Sequence, residues 1–240
     1  MGKYKRLSIL IAVLLTCGAA IAVAMDQIED GTKAYSWRYK LTVEVETPDG
    51  VKTGSAVREM NLLFEPRPLD PPKHYYVSHN MRGEAVAVDL GERGVLFALF
   101  SSDSYPEVTD TFEGPPMRTL EGAEYYSSLE AGPTPVPPQR VPWIVTFSDL
   151  SDPMSVEMVK GGVFDVEKQK HMPVDRFEEL FGEGFRLKAV TVEMTEEPVT
   201  WSIEEYLPWL DALQGRYLHG GSTSRDAPYG LYGGNFRIGK

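Results

Sequence analysis

The sequence predicts an α+β fold, mainly antiparallel β-sheet with two short helices in the C-terminal half. Three observations carry this. Residues 37–45 alternate apolar and polar over nine positions. Two hairpins, each closed by a glycine turn, fill the first hundred residues. Apolar residues at helical spacing occur only late in the chain.

In residues 37–45, Trp37, Tyr39, Leu41, Val43 and Val45 point one way, and Arg38, Lys40, Thr42 and Glu44 the other. This is a half-buried strand. Thr47-Pro48-Asp49-Gly50 turns it, with Pro48 presetting φ and Gly50 free to take φ > 0. Residues 51–64 return as a second strand. If Thr47 faced Val51, Lys40 would face Arg58, and like charges directly opposite destabilise a sheet. A β-bulge at Gly54 or Ser55 would move Lys40 opposite Glu59 instead.

Residues 85–90 and 95–100 form the second hairpin around Gly91-Glu92-Arg93-Gly94, apolar on both faces as in covered strands. Tyr75-Tyr76-Val77 adds a short strand before it. Residues 101–141, with Pro115-Pro116, Gly132-Pro133 and four residues 135–138 rich in proline, read as a long loop. Residues 142–147 are a further strand, turned at Ser151-Asp152-Pro153, with 156–159 pairing back. Asp175 caps a helix whose Phe177, Leu180 and Phe181 face the core, and Gly182 stops it. Residues 185–194 are a strand. Ser202 and Glu205 have capping-box spacing ahead of Ile203, Tyr206, Leu207 and Leu210. Pro208 either kinks that helix or starts a new one. These elements make a single domain over 35–213, followed by an irregular Gly/Tyr-rich tail over 214–240.

Residues 1–24 have the layout of an export signal: Lys3, Lys5 and Arg6, an apolar run 7–15, then Ala22-Val23-Ala24 before Met25. Three fates stay open. Cleavage after Ala24 releases a periplasmic domain. Retention leaves residues 7–24, uncharged and at the lower edge of a membrane span, as an inner-membrane anchor with the domain in the periplasm. Lipidation would use Cys17, but Thr16 before it fits a lipobox poorly.

The chain carries 24 Lys plus Arg against 35 Asp plus Glu, a net charge of −11. Loss of the three leader cations takes this to −14. Such a chain is repelled by nucleic acid, which excludes DNA or RNA as partner. Cys17 is the only cysteine, so a mature domain has no disulfide, thiol nucleophile or cysteine metal ligand. About 215 residues suffice for one core without bridges.

Catalytic signatures are few. Gly220-Gly221-Ser222 comes nearest to a nucleophile elbow, and it lies in the tail. No phosphate loop, dinucleotide fingerprint or zinc-protease motif occurs, so no cofactor or metal site is expected. His74, His79, His171 and His219 are not spaced as a helical metal pair. His79, His171 and Asp149 are the candidates for scattered hydrolytic residues. Asp149 and Asp152, at a turn after a strand, read more simply as shaping that turn than as a catalytic or Ca²⁺-binding carboxylate pair. Trp37 and Tyr39 read as core aromatics or, less simply, a ligand platform. Tyr75, Tyr76, Tyr125 and Tyr126, beside loops, are candidate recognition residues.

The run from Trp37 to Gly50 with Gly54-Ser55-Ala56-Val57, the run from Pro142 to Pro153, Val190-Thr191-Val192-Glu193-Met194-Thr195 and Leu207-Pro208-Trp209-Leu210 together resemble an uncharacterised family of exported or membrane-anchored Gram-negative proteins. The resemblance spans most of residues 37–210 and implies compartment and a single domain, but no activity and no site. Two function classes remain. One is a non-enzymatic envelope domain binding a partner protein or small ligand. The other is an envelope hydrolase built on His79 or His171 with Asp149.

Overall fold

A computed structural model describes residues 31–67, 74–100, 107–165, 170–213, 215–218 and 230–240. The leader over 1–24, His219 and Gly220-Gly221-Ser222 lie outside these residues. The described chain is mostly antiparallel β-sheet. A six-stranded sheet has the order β11 (Arg237–Ile238), β3 (Tyr75–Glu84), β2 (Gly50–Pro66), β1 (Lys33–Thr47), β10 (Arg186–Met194), β6 (Thr134–Pro135), and a five-stranded sheet the order β4 (Val86–Asp89), β5 (Val95–Ala98), β7 (Ile144–Phe147), β8 (Val156–Asp165), β9 (Lys170–Asp175).

In the first sheet, β1 (Lys33–Thr47) and β2 (Gly50–Pro66) flank the two-residue turn Pro48-Asp49. The Thr47 hydroxyl holds that turn, donating to the Gly50 carbonyl at 2.7 Å and accepting from the Asp49 N–H at 3.2 Å. The alternation expected for β1 is present: Trp37, Tyr39, Leu41, Val43 and Val45 are all buried. Each such side chain contributes about 1.5–3 kcal/mol by leaving water. Arg58 is buried on the same face as Tyr39, while Lys40 faces out to Glu197. The two cations therefore lie on opposite faces, as the expectation that Lys40 does not face Arg58 requires. The rest of the sheet is β3 (Tyr75–Glu84), β6 (Thr134–Pro135), β10 (Arg186–Met194) and β11 (Arg237–Ile238). β10 pairs with β1 through Val43↔Val190, with an irregularity between Glu44 and Val45.

Gly54 owes its identity to a close approach. A Cβ there would lie 1.9 Å from the Ala87 carbonyl oxygen of the other sheet. Only a residue without a side chain lets the two backbones meet. Gly54→Ala is expected to lower the unfolding free energy by about 1–3 kcal/mol, the usual cost of overpacking. Gly132→Ala is the control, since nothing lies within 4 Å of its Cβ position. Urea midpoints of the two variants check this.

The second sheet comprises β4 (Val86–Asp89), β5 (Val95–Ala98), β7 (Ile144–Phe147), β8 (Val156–Asp165) and β9 (Lys170–Asp175). The β4–β5 hairpin has the expected arms, with Val86 opposite Ala98 and Asp89 opposite Val95. β8 pairs back on β7. One face, with Val95, Phe97, Leu99, Val145, Phe147 and Met158, is covered by a C-terminal layer containing Ile203, Leu207, Leu210, Leu231 and Phe236.

Several local expectations are corrected. Residues 101–141 are not one long loop: α1 (Glu107–Thr111) and α2 (Leu120–Ser128) lie within it. Thr119 caps α2, its hydroxyl accepting from the Gly122 N–H at 3.0 Å. Gly122 sits inside the helix because its Cβ would lie 2.1 Å from the Pro116 carbonyl oxygen. α3 (Phe177–Phe181) buries Phe177 and Phe181 and ends at Gly182 with φ 106°, but its N-cap is Arg176. Asp175 is drawn away by its ion pair with Lys160. The Ser202 capping box does not form. Residues Ile203–Glu205 are a 3-10 turn, separated from a second over Leu210–Leu213. Ser202 Oγ and the Ile203 N–H both donate to the buried Glu84 carboxylate, at 2.9 Å each. A carboxylate from β3 thus does the capping. The described residues of the tail are not irregular: Gly233–Asn235 form a 3-10 turn, Arg237–Ile238 pair with β3, and Leu231 and Phe236 are buried in the core.

The expected single domain divides into two compact units, and the cut runs through β1–β3, not the Pro-rich stretch. The larger is residues 36–61 with 80–240. The smaller takes residues up to Tyr35 with 62–79. Within it, Phe64 meets Tyr35 and Tyr75 edge to face, with ring centroids 5.8 and 6.0 Å apart.

Candidate functional site

The second sheet carries an open groove at one margin. Trp143, just before β7, Gly161 of β8 and Val174 of β9 meet there, with Gly161 opposite Val174. Gly161 has φ 152°, and a Cβ on it would lie 2.8 Å from the Trp143 ring. The indole therefore rests on bare backbone. Its own backbone is fixed by the Leu99 N–H, which donates to the Trp143 carbonyl at 2.9 Å.

The far wall is a short 3-10 turn over Pro138–Arg140, followed by Val141 and Pro142. Arg140 ties it to Asp110 of α1 at 3.6 Å, and the Val136 N–H ties the preceding chain to the Val190 carbonyl at 2.9 Å. The result is an open groove of about 610 Å³, with Pro173 on the near side. Lys160 and Asp175 sit on its rim, directly opposite each other and paired. An indole, three prolines, two glycines and one mutually neutralised ion pair suit an extended, largely apolar ligand. They offer no acid–base couple. Sequence reading missed this site. The available signal was Gly161-Gly162 inside a strand pattern, where glycine marks a close approach.

The candidates named from sequence are dispersed. Asp149 lies in the β7–β8 turn, accepting from the Ser151 N–H at 2.8 Å and its hydroxyl at 2.7 Å. The Ser151 hydroxyl, then its N–H, hold this carboxyl below the usual carboxylate range. Asp152 accepts from the Met154 N–H at 2.8 Å in the same turn. Both are used as turn-shaping side chains. Because the folded-state pKa of Asp149 is depressed, its contribution is present above the unfolded value and lost as pH falls through the folded one. Ser151→Ala should raise the Asp149 titration midpoint toward its ordinary value, read by NMR. His79 is on β3 in the smaller unit and half-buried, whereas Asp149 belongs to the larger unit. His171 lies on β9 opposite Phe164. Among the described residues no cluster of three or more metal-ligating side chains occurs.

Of the four tyrosines, Tyr126 is a core residue: it packs on Trp37 at 5.7 Å and donates to the Phe112 carbonyl at 3.2 Å. Burial raises its phenol pKa. Tyr125 packs edge to face on Tyr126, 5.0 Å away. Tyr75 packs on Phe64, and Tyr76 alone is well exposed, at 56%. Trp37 and Tyr39 are buried core aromatics and form no surface platform.

The larger unit also buries a polar network that sequence reading did not find. Arg58 donates to Glu107 Oε1 at 2.9 Å and to the carbonyls of Glu84 and Ala98 at 3.1 and 3.2 Å. The Tyr39 hydroxyl donates to Glu107 Oε2 at 3.1 Å. The Arg58 guanidinium lies 4.1 Å over the Phe100 ring. Every strong donor and acceptor in it has a partner within the protein, which is the arrangement of a structural tie.

Comparisons with family models, with curated proteins and with solved structures found no match to this chain.

Proposed function

We propose that this chain is a non-enzymatic binding protein of the cell envelope, carried out of the cytoplasm by residues 1–24 and either released or held at the inner membrane. Its groove at Trp143 receives an extended, largely apolar segment of an envelope partner. The observation that carries this reading is the bare strip at Gly161-Gly162 beneath an indole and between prolines. The indole seated on Gly161 is held as one wall of the groove, and tryptophan is the residue type that most often dominates binding energy. Lys160 and Asp175 add one charge of each sign at the rim, so the ligand needs no strong net charge. The acidic surface keeps the domain away from nucleic acid.

The test places a benzoylphenylalanine crosslinker at Gln139, which lines the groove, in cells making the full chain. A discrete adduct in the envelope fraction is expected. Trp143→Ala should cut it at least tenfold, since a central tryptophan contributes about 2 kcal/mol or more and about 1.4 kcal/mol is tenfold. An adduct insensitive to Trp143→Ala would overturn the reading.

A further inference from the structure

The smaller unit carries a second surface. Its described residues form the end of the β1–β2–β3 ladder at which β1 begins, β2 stops and β3 starts. The ring of Phe64 locks these three strand ends, touching Tyr35 on one side and Tyr75 on the other. The Arg67 N–H closes the hairpin on the His74 carbonyl at 3.1 Å. With Phe64 and Tyr75 on the inner face, strand alternation puts Leu63, Glu65, Arg67 and Tyr76 together on the outer one. Leu63 is 36% exposed and Tyr76 56%. The Arg67 guanidinium stacks 4.2 Å over the Tyr76 ring.

We propose that this hairpin end, through Leu63, Arg67 and Tyr76, rests on the headgroup region of the membrane to which residues 7–24 tether the chain. The inference rests on the membrane-held form of the function proposed above. Two facts support it. Eight residues separate Ala24 from Lys33 at the start of β1, and fully extended the link spans only about 30 Å. A tethered chain therefore keeps this end, locked to β1 through Phe64, close to the bilayer. A tyrosine beside an arginine with an apolar neighbour is the composition of membrane interfaces, where an amphipathic ring and a snorkelling cation meet the headgroups.

The test uses the full, uncleaved chain with Cys17→Ser and a single new cysteine, Tyr76→Cys, labelled with an environment-sensitive nitrobenzoxadiazole dye. It is reconstituted with vesicles of phosphatidylethanolamine and phosphatidylglycerol. The control carries the dye at exposed Lys52 near the other end of β2. Flotation reads the tether, and the dye reads the contact. The expected result is that both proteins float and only the dye at position 76 shifts to the blue and is quenched by brominated acyl chains. Leu63→Glu should then abolish that shift. Floating protein with the same spectrum at both positions would overturn the membrane contact and leave the tether standing. Protein that fails to float would overturn both.

Discussion

Glu107→Ala is expected to lower the unfolding free energy by about 3–5 kcal/mol, the cost of stranding a buried charge. Arg58 is fully buried and Glu107 nearly so, at 0% and 2% side-chain exposure. Removing the carboxylate leaves the guanidinium without a counter-ion and the Tyr39 hydroxyl without its acceptor. A surface ion pair on the same sheet sets the contrast. Lys188–Glu44, at 2.9 Å, has both side chains more than a third exposed, and exposed pairs of this kind contribute about 0–1 kcal/mol. Lys188→Ala should therefore change little. The double variant Arg58→Met with Glu107→Leu should recover part of the loss, because apolar replacement of a whole buried pair is often tolerated. Recovery will be incomplete, since the carbonyls of Glu84 and Ala98 lose the donors that Arg58 supplies. The same network predicts an alkaline limit. Burial first, and then the Glu107 charge, raise the Tyr39 phenol well above its usual value. The folded state keeps this proton when the unfolded chain has lost it. Stability from Tyr39 is thus full below the unfolded phenol value and falls as pH rises beyond it. Urea titrations of the variants, and of the parent across the alkaline range, measure all of this.

Phe236→Ala should cost about 3–5 kcal/mol, as for other buried phenylalanines. Phe236 is fully buried, only four residues from the C-terminus. Its ring meets Phe97 at 6.1 Å, Phe147 at 5.8 Å and Trp209 at 6.2 Å. Its backbone ties the tail to the sheet as well, with the Ala85 N–H donating to its carbonyl at 2.7 Å. Next to it, Arg237 pairs with Glu204 and Asp211. A tail that merely trailed from the domain would give a variant as stable as the parent. The urea midpoint separates the two outcomes.

The strands were legible where physics is local. Alternation from Trp37 to Val45 is a consequence of the pleat, and burial of one face follows from it. The Gly91–Gly94 hairpin and the return of β8 on β7 were legible for the same reason. What stayed hidden depended on distant partners. Arg58 and Glu107 are 49 residues apart, and nothing near either one signals that they neutralise each other in the interior. Glu84 supplies the cap that Ser202 was expected to make, from 118 residues away. The tail around Phe236 has no periodicity, so its part in the core shows only once the second sheet offers it Phe97 and Phe147. The groove was hidden in another way. Its defining features, Gly161 and Gly162, are missing side chains, and a pattern of burial cannot register them until Trp143 is seen resting there. Asp149 was legible as a turn residue, and Tyr125 and Tyr126 were drawn into packing by a helix, α2, that the run of prolines concealed.

The most direct test of the proposed function is hydroxyl-radical footprinting of the protein in intact envelopes against the same protein purified. Trp143 and Met154 are both accessible in the isolated chain, Met154 at 51% exposure. A bound partner segment covers the groove and not the β7–β8 turn. The account predicts that Trp143 is oxidised several-fold more slowly in envelopes while Met154 reacts at the same rate in both. Equal oxidation of Trp143 in the two preparations would contradict it.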